Sequence, residues 1–155
     1  MSIQSLRKAA FAISILAVGL FAAENPFAGT WKVNGTKSKL AGSGIGSGVV
    51  RVESDGKTYK ASVDNTDEKG QPVKFDYEAS LDGKPSKVTG SATMDEISLK
   101  RVNAHTIDAI GKKDGKVVYT DKRTVSPDGK TYTISRTGTS PDGKKYHATI
   151  VFDKQ

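Results

Sequence analysis

SPDGKTYTISRTGTSPDGKKYHATIVF, residues 126–152, holds two copies of one pentapeptide 14 residues apart, Ser126-Pro127-Asp128-Gly129-Lys130 and Ser140-Pro141-Asp142-Gly143-Lys144. Proline presets the first turn position, aspartate tolerates the second, and glycine supplies the left-handed third. Each copy therefore fits a three-residue type I turn with a bulge at the glycine, and such a turn fixes strand register. Closing the second loop on Ser140 and Lys144 sets Gly138 opposite Tyr146, Arg136 opposite Ala148, Ile134 opposite Ile150 and Tyr132 opposite Phe152, an apolar face apart from Arg136. A two-residue loop would bring His147, Thr149 and Val151 to that face instead, which agrees less well with an apolar interior. Closed in the same way, the first loop sets Thr120 opposite Arg136 and Lys122 opposite Ile134. Arg136 is then expected to point inward with few charged neighbours.

Outward from this pair of hairpins the punctuation repeats. Asp-Gly-Lys occurs five times, at 55–57, 82–84, 114–116, 128–130 and 142–144, each time between segments rich in Val, Ile, Thr and Tyr. Asp-Gly between such segments signals a tight hairpin. The expected strands are 29–34, 48–54, 57–64, 73–80, 86–91, 96–102, 105–111, 116–125, 130–139 and 145–153. Several alternate cleanly, with Tyr59, Ala61 and Val63 against Lys60 and Ser62, and Val73, Phe75, Tyr77 and Ala79 against Lys74, Asp76 and Glu78. No stretch after residue 23 has a helical period, although Thr36 to Leu40 has room for one turn. A run of eight to ten short antiparallel strands must protect its edges. The expected class is all-β, an up-and-down barrel of eight to ten strands, with a two-sheet sandwich as the alternative.

The first residues set the expected compartment. Arg7 and Lys8 precede an apolar run from Ala9 to Phe21 broken only by Ser14, and Ala22 and Ala23 follow. This is the pattern of a secretory signal peptide, residues 1–23, cut near Ala23. A 13-residue apolar run is too short for the roughly 20 helical residues a bilayer needs, so no stable anchor is expected. Residues 24–155 remain as one domain. The signal holds two of the 24 basic residues and none of the 17 acids, which leaves +5 on the rest. Those lysines follow turn glycines or stand on polar strand faces, as solubility and edge protection require, so nucleic acid is not an expected partner. Cysteine is absent, which excludes disulfides, thiolate metal sites and cysteine-linked lipidation. The expected location is periplasmic or secreted.

Both ends of the mature chain carry a resemblance. Phe27-Ala28-Gly29-Thr30-Trp31-Lys32-Val33 resembles the opening Gly-x-Trp strand of the calycin superfamily, the lipocalins and fatty-acid-binding proteins. Thr149-Ile150-Val151-Phe152-Asp153-Lys154 resembles the last strand of the fatty-acid-binding branch, and the chain is similar in outline to small exported bacterial lipocalin-like proteins. The resemblance implies a barrel whose interior takes a small hydrophobic ligand, with Trp31 as a structural residue closing one end. In the fatty-acid-binding pattern the last strand carries an Arg-x-Tyr pair for the ligand carboxylate. Here Ile150 and Phe152 stand in those places, and the family's helical lid is replaced by Ala41-Gly42-Ser43-Gly44-Ile45-Gly46-Ser47-Gly48, read as a linker or barrel mouth.

The candidate ligand-binding residues are therefore Arg101, Arg136, Tyr59, Phe75, Tyr77, Tyr132, Ile150 and Phe152. An enclosed guanidinium must be paired or must hold an anion, because burying it alone costs several kcal/mol. Arg101 shares a face with Ile97 and Leu99, and Arg136 with Tyr132 and Ile134; each either binds a carboxylate or phosphate group, pairs with Asp76, Asp108 or Asp121, or stacks on Trp31. The aromatics line a cavity if there is one and fill the core if there is not. His105 and His147 have no partner at ligand spacing, and Asp64, Asp67 and Glu68 lie in an ordinary turn, so no metal or cofactor is expected. Catalysis would need a converging cluster such as Asp121 beside Arg123 and His147. The chain reads as a non-enzymatic binding protein for a small hydrophobic or amphipathic molecule. The alternative is an interaction module, such as an inhibitor of an exported enzyme, built on a filled barrel.

Overall fold

The computed structural model describes residues 25–155; the expected signal peptide lies outside the described residues. Ten strands form in chain order: β1 (Gly29–Val33), β2 (Gly48–Ser54), β3 (Thr58–Thr66), β4 (Pro72–Ser80), β5 (Asp82–Thr89), β6 (Glu96–Asn103), β7 (Thr106–Lys113), β8 (Lys116–Val125), β9 (Thr131–Thr139) and β10 (Lys145–Lys154). Every neighbour in sequence is an antiparallel neighbour in space, and β1 pairs with both β2 and β10, so the sheet closes on itself. The sandwich alternative is thereby overturned. Closure leaves no free edge to template aggregation. The segment after β1 makes turns rather than a helix. Its Asn34 accepts from the Lys37 amide at 3.1 Å and donates to Asp153 at 2.6 Å, which ties this connection to β10.

The two repeated pentapeptides do not close alike. The second does so as expected, with the Ser140 amide on the Lys144 carbonyl and Arg136 opposite Ala148. In the first, the Ser126 amide bonds the Thr131 carbonyl and the Thr131 amide bonds the Ser126 hydroxyl, so Lys130 joins the loop. The extra residue slips β8 by one. Asp121, not Thr120, faces Arg136, and Arg123, not Lys122, faces Ile134. A one-residue slip exchanges the faces of a strand. The observed register buries Tyr119 and Val125, whereas the other would bury Thr120, Lys122 and Thr124. Burial of two large apolar side chains, at about 1.5–3 kcal/mol each, decides the register over local turn chemistry.

The interior is packed most densely at the end where the chain enters. Phe27 caps that end, 1% exposed, with its carbonyl accepting from Trp31 Nε1 at 2.9 Å. Its ring meets Tyr132 edge-on at 5.6 Å and Tyr59 at 6.3 Å; Tyr132 in turn meets Trp31 at 5.4 Å and stacks on Phe152 at 5.3 Å. The Tyr59 and Tyr132 hydroxyls satisfy each other at 3.1 Å. Each such pair contributes about 0.5–1.5 kcal/mol beyond the area buried. Lys154 lies over the outer side of Trp31, 5.5 Å from its ring. Toward the other end the inward-facing side chains become progressively more exposed. Ala79 is buried but Tyr77, Phe75 and Val73 are half-buried on β4, and the same gradient runs from Tyr132 to Gly138 on β9 and from Phe152 to Tyr146 on β10. One end is thus a plug and the other a mouth, beneath the glycine-rich connection whose Leu40 and Ile45 pack on the core.

Candidate functional site

Between plug and mouth lies a buried ionic cluster. The register of β8 sets Asp121 and Arg123 on one inward face, and pairing with β9 sets Arg136 beside them. The Asp121 carboxylate accepts from Arg136 through Nε at 2.7 Å and Nη2 at 2.9 Å, and from Arg123 through Nε at 3.2 Å and Nη2 at 3.0 Å. The side-chain exposures are 0% for Asp121, 4% for Arg123 and 11% for Arg136. Arg123 also donates to the Tyr77 hydroxyl at 2.9 Å. The Arg136 guanidinium lies over the Tyr119 ring at 3.7 Å, a desolvated contact of about 2 kcal/mol. Tyr119 donates in turn to Met94 Sδ at 2.9 Å.

Two glycines make room for this arrangement. Gly111 on β7 and Gly138 on β9 both stand opposite Tyr119. A Cβ at 111 would run into the Tyr119 ring, and one at 138 would lie 2.6 Å from the Tyr146 hydroxyl. Without a side chain at 111 the Tyr119 ring can lie flat beneath Arg136, and without one at 138 the Tyr146 ring can come in beside it.

The electrostatics favour charge retention. Burial works against both guanidinium charges, but it is outweighed, by Tyr77, Tyr132 and Asp121 around Arg123 and by Asp121 and Tyr119 around Arg136, so both hold their protons more tightly than usual. Burial pushes the Tyr119, Tyr132 and Tyr59 hydroxyls up, so they are neutral donors and acceptors at any ordinary pH. Two guanidiniums and one carboxylate leave the cluster with an excess of one positive charge. Arg136 spends Nε and Nη2 on Asp121 and is also a hydrogen-bond partner of the Tyr146 hydroxyl on the mouth side.

The expected site residues separate into three groups. Arg136, Tyr77 and Phe75 stand at or above the cluster on the mouth side. Tyr59, Tyr132, Ile150 and Phe152 are fully buried in contact with one another or with the plug, and fill the core rather than line open space. Arg101 is a correction: it is exposed, because β6 bulges beside it at the rim and its guanidinium turns away to the Gly56 and Asn103 carbonyls. Arg136 points inward as expected and takes the paired alternative, with Asp121, one of the three acids named for it, as its partner. His147 faces outward, 3.2 Å from the Thr137 hydroxyl, and does not join Asp121 and Arg123. Asp67 spends its carboxylate on the Lys69 and Gln71 amides of its own turn. Arg123 is the inward residue that the turn-based register had placed outside. Its signal in the sequence was the odd-numbered apolar positions Tyr119 and Val125 on either side of it.

Two depressions, of about 750 and 430 Å³, lie against the outer faces of β2 to β5. The larger has Arg51, Lys60 and Lys87 among Glu53, Asp76 and Glu78, so its charges balance, with Lys60 3.7 Å from Glu78. The cluster inside the barrel, by contrast, carries one uncompensated positive charge.

No protein-family model and no curated protein matches the chain. Among solved structures it is similar to zebrafish ileal bile acid-binding protein, crystallised with cholic acid, at 12% identity over 84% of this chain and 99% of that one, with a TM-score of 0.53. Identity at that level carries the fold alone, and the fold is a closed ten-stranded antiparallel barrel.

Proposed function

We propose that this chain is an exported, non-enzymatic binding protein for a small amphipathic molecule, whose anionic head group meets Arg136 while its apolar part lies among Phe75, Tyr77, Val63 and Tyr146 at the mouth. The single observation that carries this reading is the cluster's excess positive charge beneath an inner wall that grows more exposed toward one end. A buried, uncompensated guanidinium is costly, and an anion entering from the mouth relieves that cost. The signal-like residues 1–23 support a periplasmic or secreted location.

A second reading, an interaction module on a filled barrel, draws on the contact chain from Phe27 through Tyr59, Tyr132 and Phe152, which occupies the plug half with aromatic rings. Native mass spectrometry of protein purified from its own host separates the two. A co-purified lipid-like mass that disappears in a folded Arg136→Met variant supports the ligand reading. Ligand-free protein, whose arginine side-chain NMR signals do not respond to millimolar octyl sulfate, favours the filled module.

A further inference from the structure

Resting on the ligand reading above, we infer that Asp121 is a specificity-determining residue: it lowers the charge of the site from two to one, so that the barrel takes singly charged head groups and rejects doubly charged ones. The geometry separates its role from that of an ordinary ion-pair partner. Asp121 is shared between Arg123 and Arg136 and spends both oxygens on them, so one of the two guanidinium charges is cancelled by the protein itself. The other side chains on the cluster are tyrosines, Tyr119 beneath Arg136, Tyr77 on Arg123 and Tyr146 on β10 above, and the further charge at the mouth is Glu68, which acts on Tyr146 and accepts from the Gly44 amide. A monoanion such as a carboxylate, sulfonate or sulfate ester brings the buried total to zero. A phosphate monoester dianion would leave one negative charge among buried groups, beside a carboxylate that has nowhere to go. The low dielectric of the interior makes that difference large.

The head group's own ionisation provides the test, without altering the protein. Octyl sulfate carries one charge at all working pH values, whereas an octyl phosphate passes from one charge to two near pH 6. Binding to the wild-type protein is followed from pH 5 to pH 8 by calorimetry and by the NMR signals of the arginine Nε–H groups. Octyl sulfate affinity should change by less than about threefold. Octyl phosphate affinity should fall by more than about tenfold, since a site restricted to the monoanion loses about tenfold per pH unit above the second ionisation. The octyl sulfate series records any pH effect that arises outside the cluster.

In Asp121→Asn the site charge rises to two, and the order should invert, with octyl phosphate at pH 8 binding about tenfold tighter than octyl sulfate. If that variant does not fold, the wild-type pH series decides alone. Octyl phosphate binding that is unchanged or tighter at pH 8, with octyl sulfate still bound, overturns the role given to Asp121 and leaves the ligand reading standing. Failure of both amphiphiles to bind or to move the arginine signals overturns both.

Discussion

Asp121→Asn should cost the folded state more than any other single polar substitution in the barrel. The side chain is nearly isosteric, so no cavity opens and the effect is electrostatic. Wild type holds two guanidiniums, 4% and 11% exposed, against one fully buried carboxylate through four hydrogen bonds of 2.7–3.2 Å. Removing the charge leaves both cations facing an amide that can accept but cannot neutralise. Breaking a buried ion pair by deleting one partner costs about 3–5 kcal/mol. Domains of this size have about 5–15 kcal/mol in all. The loss should lower the thermal midpoint by roughly 10–20 °C. Urea unfolding followed by the fluorescence of Trp31, the only tryptophan, measures it directly. The companion is Asp121→Leu combined with Arg123→Met and Arg136→Met, which removes all three charges at similar volume. It should unfold within about 1 kcal/mol of wild type or be more stable by about 1–4 kcal/mol. An Asp121→Asn variant within about 1 kcal/mol of wild type, or a triple variant as damaged as the single one, would refute the assignment of a dry, strongly coupled cluster.

Phe27→Ala removes the plug residue that touches both Tyr59 and Tyr132, and should destabilise by about 3–5 kcal/mol while leaving the arginine Nε–H signals near the mouth in place; urea titration and an NMR spectrum read the two effects. Deleting Lys130 shortens the first loop to the three-residue form of its twin, so β8 must either shift and bury Lys122 or strain the loop; the expected result is loss of the native NMR spectrum, and a native spectrum with the Arg123 signal unmoved would contradict the register argument. Acid should weaken the fold in a defined window. Ser126, Ser140 and Ser80 hydrogen-bond Asp128, Asp142 and Asp82, and the Thr58 amide binds Asp55, holding all four below the ordinary value of 3.8. A depressed folded value means that stability is present above 3.8 and is lost as pH falls through the lower folded value. Asn34 holds Asp153 low in the same way, so urea midpoints should be flat from pH 7 to about 4.5 and decline below that, and the decline should be smaller in a variant with Asp55, Asp82, Asp128 and Asp142 changed to asparagine.

What could be read in the sequence divides at the range of the interactions involved. Strand alternation and Asp-Gly turns are local, and all ten strands lie within a few residues of where Tyr59-Ala61-Val63, Val73-Phe75-Tyr77 and the glycine turns place them. The inward direction of Arg136 follows from the second turn alone, because Ser140 and Lys144 close that loop with no competing demand. Identical residues at Ser126–Lys130 close differently because the decision is made elsewhere: Tyr119 needs the space left by Gly111, and Val125 needs the core. A turn motif biases register by a fraction of what two buried side chains contribute, so five local residues cannot specify it. The same long-range dependence hid the site. Asp121 and Arg123 are two apart in a strand that also reads as Thr120-Lys122-Thr124, and only the closed barrel shows which set is enclosed. Arg101 failed for the complementary reason. Its parity with Leu99 is real, but at a bulged rim parity sets where the Cβ starts and leaves a long side chain free to end in solvent. A charged residue near the end of a strand therefore earns an interior assignment only when a partner on the neighbouring strand is fixed with it, as Asp121 is with Arg136.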